Sequence, residues 1–152
     1  MERVVGVLKG VRGRTFDTVY DLFFTDKRIV AAILTHPSDF NDINRKIDLG
    51  RILIGGSPGE WAVKKRSLDL IESRRSAFAD KTVDEILAMH SSNMEIDYEN
   101  ISCVSVEKGL VKKSLKLALK NPPGVKVSFS LEKSQIAKAE ELVKKVLPEK
   151  AK

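Results

Sequence analysis

The sequence predicts an α+β fold, mainly antiparallel β, as a single domain over residues 1–152 with a helical insertion over about 36–93. Three observations predict it. Short β-branched or alternating apolar runs occupy residues 2–34 and return over 94–131. Between them, Trp61, Leu68, Ile71 and Phe78 recur at helical spacing. Beyond residue 131, Ile136, Ala139, Val143, Val146 and Leu147 share one face of a helix.

The elements follow in order. Glu2–Lys9 reads as a strand because Val4, Val5, Val7 and Leu8 are β-branched or apolar, and Lys9-Gly-Val-Arg-Gly-Arg14 reads as a basic turn punctuated by glycines. A second strand covers about Thr18–Phe24, and Asp26-Lys27 turns the chain. The third, about Arg28–Leu34, is nearly all apolar, as a strand covered on both faces should be. His36-Pro37 ends it. A short strand at Arg51–Ile54 is expected, followed by a helix from Pro58 to about Ala79 with Ser57 as N-cap. Lys65, Arg66, Arg74 and Arg75 lie opposite the apolar stripe of that helix. A second short helix begins at Thr82, where Glu85 completes a capping box, with Val83, Ile86, Leu87 and His90 as its apolar face.

Period-two alternation then resumes. Met94, Ile96 and Tyr98 alternate with acids, and Glu99-Asn100 turns the chain. Ile101 and Cys103 are out of phase with Val104 and Val106, which predicts a bulge, since one extra residue reverses the facing of all that follow. Leu115, Leu117 and Leu119 alternate with small or basic residues; Asn121-Pro-Pro-Gly124 turns; Val125, Val127, Phe129 and Leu131 alternate again. One wet and one dry face is the pattern of an antiparallel sheet. Pro148 stops the last helix, about Glu132–Leu147.

Composition narrows the function classes. Apolar residues make up 42% and charged residues 32% of the 152, a globular rather than a disordered balance. The longest apolar run, Ile29–Leu34, is far short of the ~20 residues of a membrane-spanning helix. Glu2, Arg3 and Lys9 interrupt any signal-peptide core, so the expected location is cytoplasmic, with a peripheral membrane position as one option. Cys103 is single, which excludes an internal disulfide and a Cys-based zinc site. His36 and His90 are distant in sequence and lack partners at metal-ligand spacing, so neither a metal nor a cofactor is expected. The net charge is +6, and Lys108–Lys126 holds six lysines and no acid, which favours anionic partners.

Two strings carry a family resemblance. Leu22-Phe-Phe-Thr-Asp-Lys-Arg-Ile-Val30 is similar to the L-x-x-T-D-x-R-hydrophobic hairpin of prokaryotic pleckstrin-homology-like (PH-like) and GRAM-like domains, and Ile96-Asp-Tyr-Glu-Asn-Ile-Ser-Cys-Val104 to their I-x-Y-x-x-I-x-x-V hairpin. The resemblance covers about residues 1–35 and 94–148 and implies a bent seven-stranded barrel capped by the C-terminal helix, with the insertion between strands 3 and 4. It implies a binding or oligomerisation module, because this fold carries many roles.

The binding candidates follow from charge and pattern. Lys9, Arg12 and Arg14 match the loose Lys-x-x-Arg-x-Arg string after the first strand of phosphoinositide-binding PH domains, and several cations on one loop suit a phosphate cluster. Lys112 and Lys113 would support that site if their edge lies beside the loop. A solvated basic turn is the plainer alternative. Asp17, Asp21 and Asp26 read as solvated turn and rim residues. Trp61, Leu68, Ile71 and Phe78 form a stripe that packs on the chain itself, on a second copy or on a membrane. Gly55-Gly-Ser57-Pro-Gly59 matches a nucleophile elbow, but Pro58 lacks the N–H that an oxyanion hole needs. Exposed aromatics among the lysines are missing, which argues against single-strand nucleic-acid binding. The expected function is a non-enzymatic PH-like binding module for an anionic headgroup or a protein partner. The alternatives are a self-associating scaffold using the 58–79 helix, and an enzyme acting on a phosphorylated small molecule, for which no acid, base or nucleophile set is found.

Overall fold

The computed structural model describes residues 2–13, 18–36 and 68–151. Strands β1 (Val4–Arg12), β2 (Val19–Thr25) and β3 (Arg28–Thr35) precede helix α1, described over 68–77, and α2 (Val83–Ala88). Then come β4 (Met94–Asp97), a 3-10 turn (Tyr98–Asn100), β5 (Ile101–Lys108), β6 (Lys113–Leu119), β7 (Lys126–Ser130) and helix α3 (Lys133–Val146). The expected strand at Arg51–Ile54, the Ser57 cap and Trp61 lie outside the described residues, as does Arg14.

The seven strands form one antiparallel sheet in the order β4-β3-β2-β1-β7-β6-β5. The sheet is not closed: β4 and β5 are its edges. Six register pairs join β1 to β2, whereas β1 meets β7 only at Arg12↔Ser130, so the two halves part along most of that seam. Both halves nonetheless feed one core. Leu8, Leu22, Phe24, Ile29 and Ile33 from the first half meet Ile101, Val104, Leu115, Leu117 and Phe129 from the second. Helix α3 fills the space between them with Ala139, Leu142 and Val143.

Leu142 is absent from the helical face read in the sequence, yet it is only 1% exposed. It sits against Gly6 of β1, where a Cβ would come within 2.4 Å of Leu142 Cδ2. Glycine at that position is what lets helix and strand approach so closely.

Strand β3 is covered on both faces, as its apolar run predicts. Ile29, Ala31 and Ile33 face the main core, while Val30, Ala32 and Leu34 face a second cluster with Val19, Phe78, Val83 and Ile86. That second cluster is where the helical insertion packs. Phe23 and Phe78 meet there edge to face, with centroids 5.8 Å apart. Helix α2 starts as read, with both hydrogen bonds of the Thr82–Glu85 capping box present. His90 does not close its apolar face: the helix ends at Ala88 and His90 is exposed.

Two local expectations change. The segment Lys9–Arg12 is strand, not turn: a register irregularity between Leu8 and Val11, with Gly10 at φ +71°, absorbs the glycine as a bulge. In β5 the expected phase slip is present, as Ile101 pairs with Leu119 but Cys103 with Ala118.

Candidate functional site

The cations singled out in the sequence occupy two places. Lys9 is exposed on the outer face of β1, on the wall of a pocket of about 320 Å³ between the sheet and the insertion. Val7, Phe23, Phe78 and Val83 line that pocket, with Asp21, Arg75 and Lys81. Arg12 lies beyond the bulge, at the end of β1. There a single row crosses four strands: Arg12 pairs with Ser130, Ser130 with Ser114, and Ser114 with Glu107. Two strand spacings therefore separate Arg12 from Ser114, about 10 Å. Lys113 precedes Ser114, and its carbonyl accepts from Leu131 N (2.9 Å). The β5–β6 hairpin that carries Lys112 and Lys113 stands at the same end of the sheet as the end of β1. One face does not hold them all, because Lys113 is in the phase of buried Leu115 whereas Arg12 shares the row of Ser114.

The surroundings at this end leave a local excess of positive charge. Glu107 Oε1 is held by Lys116 Nζ (2.6 Å), and Glu107 Oε2 accepts from Ser114 Oγ (3.1 Å). The ion pair with Lys116 holds the Glu107 carboxyl below its ordinary range. Lys108 Nζ reaches Glu140 Oε2 on α3 at 3.3 Å. Lys112 makes no ion pair among the described residues, and Lys113 Nζ donates only to the Leu110 carbonyl (3.2 Å).

Asp21 departs from the solvated reading. It is 1% exposed, on the outer face of β2, and accepts a two-pronged contact from Arg75: Nε to Oδ2 at 2.8 Å and Nη2 to Oδ1 at 2.9 Å. Gly10 N also donates to Oδ1 (2.9 Å), so the bulge, β2 and α1 meet at one carboxylate. The hydrogen bonds to Asp21 raise the Arg75 pKa. Arg74 Nη1 donates to the Leu34 carbonyl (2.7 Å). The basic side of α1 is therefore partly turned onto the sheet rather than into water.

The stripe expected to form an interface divides. Phe78 is buried and Ile71 packs against the second core, both within their own chain. Leu68 is 58% exposed.

The T-D-x-R string proves to be a structural lock. Thr25 Oγ1 accepts from Lys27 N (3.1 Å) and Arg28 N (2.9 Å) and donates to Glu2 Oε2 (2.6 Å). Asp26 Oδ1 accepts from Arg3 N (3.1 Å). Arg28 grips Glu2 through Nε and Nη2, both at 2.9 Å, and also bonds Glu95 of β4 and Asp84 of α2. Glu2 is held below its ordinary pKa chiefly by that Arg28 contact. Tyr98 of the second string donates its hydroxyl to the Thr25 carbonyl (2.6 Å), and its pKa is raised mainly by burial. Both strings thus tie β2–β3 to β4 and the N-terminal segment.

The two histidines, distant in sequence, come together: their ring centroids stand 6.3 Å apart. His90 Nδ1 accepts from Ser92 N (2.9 Å). Among the described residues no group of three or more His, Cys, Asp or Glu could hold a metal, and no helix is long and apolar enough to cross a membrane. Comparison of the chain with family models, with curated proteins and with solved structures finds no match.

Proposed function

We propose that the chain is a non-enzymatic binding module of PH-like architecture that docks on an anionic surface through the sheet end carrying Arg12, Lys112 and Lys113. The strand order, the helix lodged between the two halves of the sheet, and the use of both family strings as structural ties support the PH-like reading. The observation that carries the docking reading is the row Arg12–Ser130–Ser114, which gathers the end of β1 and the lysine-rich hairpin at one end of the sheet. Arginine gives paired donors to phosphate oxygens, and the lysines add attraction that acts at short range and weakens with salt. Sedimentation with vesicles of phosphatidylcholine containing phosphatidylserine tests it. The protein should pellet at low salt, and Arg12→Gln with Lys112→Gln and Lys113→Gln should weaken pelleting by tenfold or more, at about fivefold per cation near the surface. A wild-type protein that stays in the supernatant at low salt refutes the reading.

A further inference from the structure

Leu110 and Val111 are 99% and 100% exposed. They form the tip of the β5–β6 hairpin, beyond its last register pair, Lys108↔Lys113. Turn positions ordinarily carry Gly, Asn, Asp, Ser or Pro, each for a backbone or solvation reason. Two adjacent branched aliphatics held fully in water serve neither purpose.

The loop that presents them is closely built. A Cβ on Gly109 would stand 2.9 Å from the Lys112 carbonyl oxygen, so the loop closes this tightly only with glycine there. Lys113 Nζ clasps the Leu110 carbonyl. The nearby acids, Glu107 and Glu140, are each neutralised by a lysine, at 2.6 and 3.3 Å. What projects is therefore an apolar pair flanked by cations.

We propose that this tip inserts into an anionic lipid bilayer, with Leu110 and Val111 entering the boundary below the headgroups while Lys112 and Lys113 sit at the lipid phosphates. The inference rests on the docking reading above and adds to it an apolar anchor that salt does not screen. A bilayer fits better than a protein groove on two counts. Lys112 and Lys113 follow the apolar pair directly in the same hairpin end, which complements an anionic plane. A convex two-residue tip also falls far short of the roughly 800 Å² per partner of a standard protein interface, whereas a bilayer needs no matching concavity.

The test uses the full chain, vesicles of phosphatidylcholine with phosphatidylserine, and the pair Leu110→Ser with Val111→Ser. Both positions are fully exposed, so the variant should melt at the wild-type temperature. The wild type should retain part of its binding as salt is raised. The double variant should bind at least tenfold more weakly and lose the salt-resistant part. Leu110→Trp should show a blue-shifted emission on vesicles after the Trp61 signal is subtracted. If the wild type binds and the double serine variant matches it at every salt concentration, insertion is overturned while docking stands. If the wild type does not bind at all, both fall. If the double variant leaves vesicle binding intact but abolishes self-association seen by sedimentation velocity, the tip is a protein contact and the proposal is wrong.

Discussion

Gly6→Ala tests the docking of α3 on the sheet more sharply than a simple deletion would. Gly6 is not among the positive-φ glycines, so alanine meets no backbone strain. On the unfolded side the change should stabilise by about 0.4–1 kcal/mol, because alanine has fewer conformations to lose. Against this stands the 2.4 Å approach of the new Cβ to Leu142 Cδ2, where ordinary contact begins near 3.4 Å. Leu142 Cγ and Cδ1, at 3.6 and 3.7 Å, would not clash, so the methyl alone must move, in a core where Leu142 is 1% exposed. Overpacking of this kind costs about 1–3 kcal/mol. The net expectation is destabilisation of roughly 0.5–2 kcal/mol. Leu142→Ala alone should cost about 2–5 kcal/mol. In that background the clash is gone, so Gly6→Ala should change sign and stabilise. Urea unfolding of the four proteins, with m-values compared, closes the cycle. An effect of Gly6→Ala that is the same with and without Leu142 would refute the contact and, with it, the placement of α3 against β1.

Other expectations follow from the same geometry. Arg75→Met should cost about 2–4 kcal/mol, because it leaves the buried Asp21 carboxylate with Gly10 N as its remaining partner, while Lys108→Met, at an exposed pair, should cost under about 1 kcal/mol; chemical denaturation compares them. Gly10→Ala should lose about 1–2 kcal/mol through its φ of +71° alone, since the nearest side-chain atoms to a new Cβ are 3.9 and 4.0 Å away, and Gly10→Asn should lose less. Glu2 has its folded pKa lowered from 4.5, so its contribution is complete above that value and fades as pH falls through the lowered folded pKa. Thermal melts across the acid range should therefore lose part of their slope in Glu2→Gln, and an unchanged slope would count against the Arg28 contact.

What was legible in the sequence depended on how local the signal was. The alternation in β5–β7, the slip after Ile101 and the Thr82–Glu85 box are written within a few residues, and each appears in the structure. At Gly10 a glycine in a basic stretch signals a turn, whereas its N–H bond to the Asp21 side chain and the Val11↔Tyr20 pair keep the strand running. Asp21 and Arg75 are 54 residues apart, and neither carries any mark of its partner. Without one, an acid in a strand and a base on a helix each read as solvated. Leu142 lies next to Val143 but off the face that Ala139 and Val143 define, yet both are buried where the helix crosses β1 and β5. For the candidate site, the lysine excess was visible, but the exposure of Leu110 and Val111 was not, since two apolar residues in a turn look no different from two in a strand end.

The double covering of β3 has a consequence for how the molecule comes apart. Val30, Ala32 and Leu34 would meet water if the insertion peeled away, and Ile29, Ala31 and Ile33 would follow if the strand then loosened. The inserted helices are thus not an ornament that can be trimmed. Amide protons on β3 should exchange only as slowly as the weaker of its two covers permits, so one rate-limiting opening should govern sheet and insertion alike.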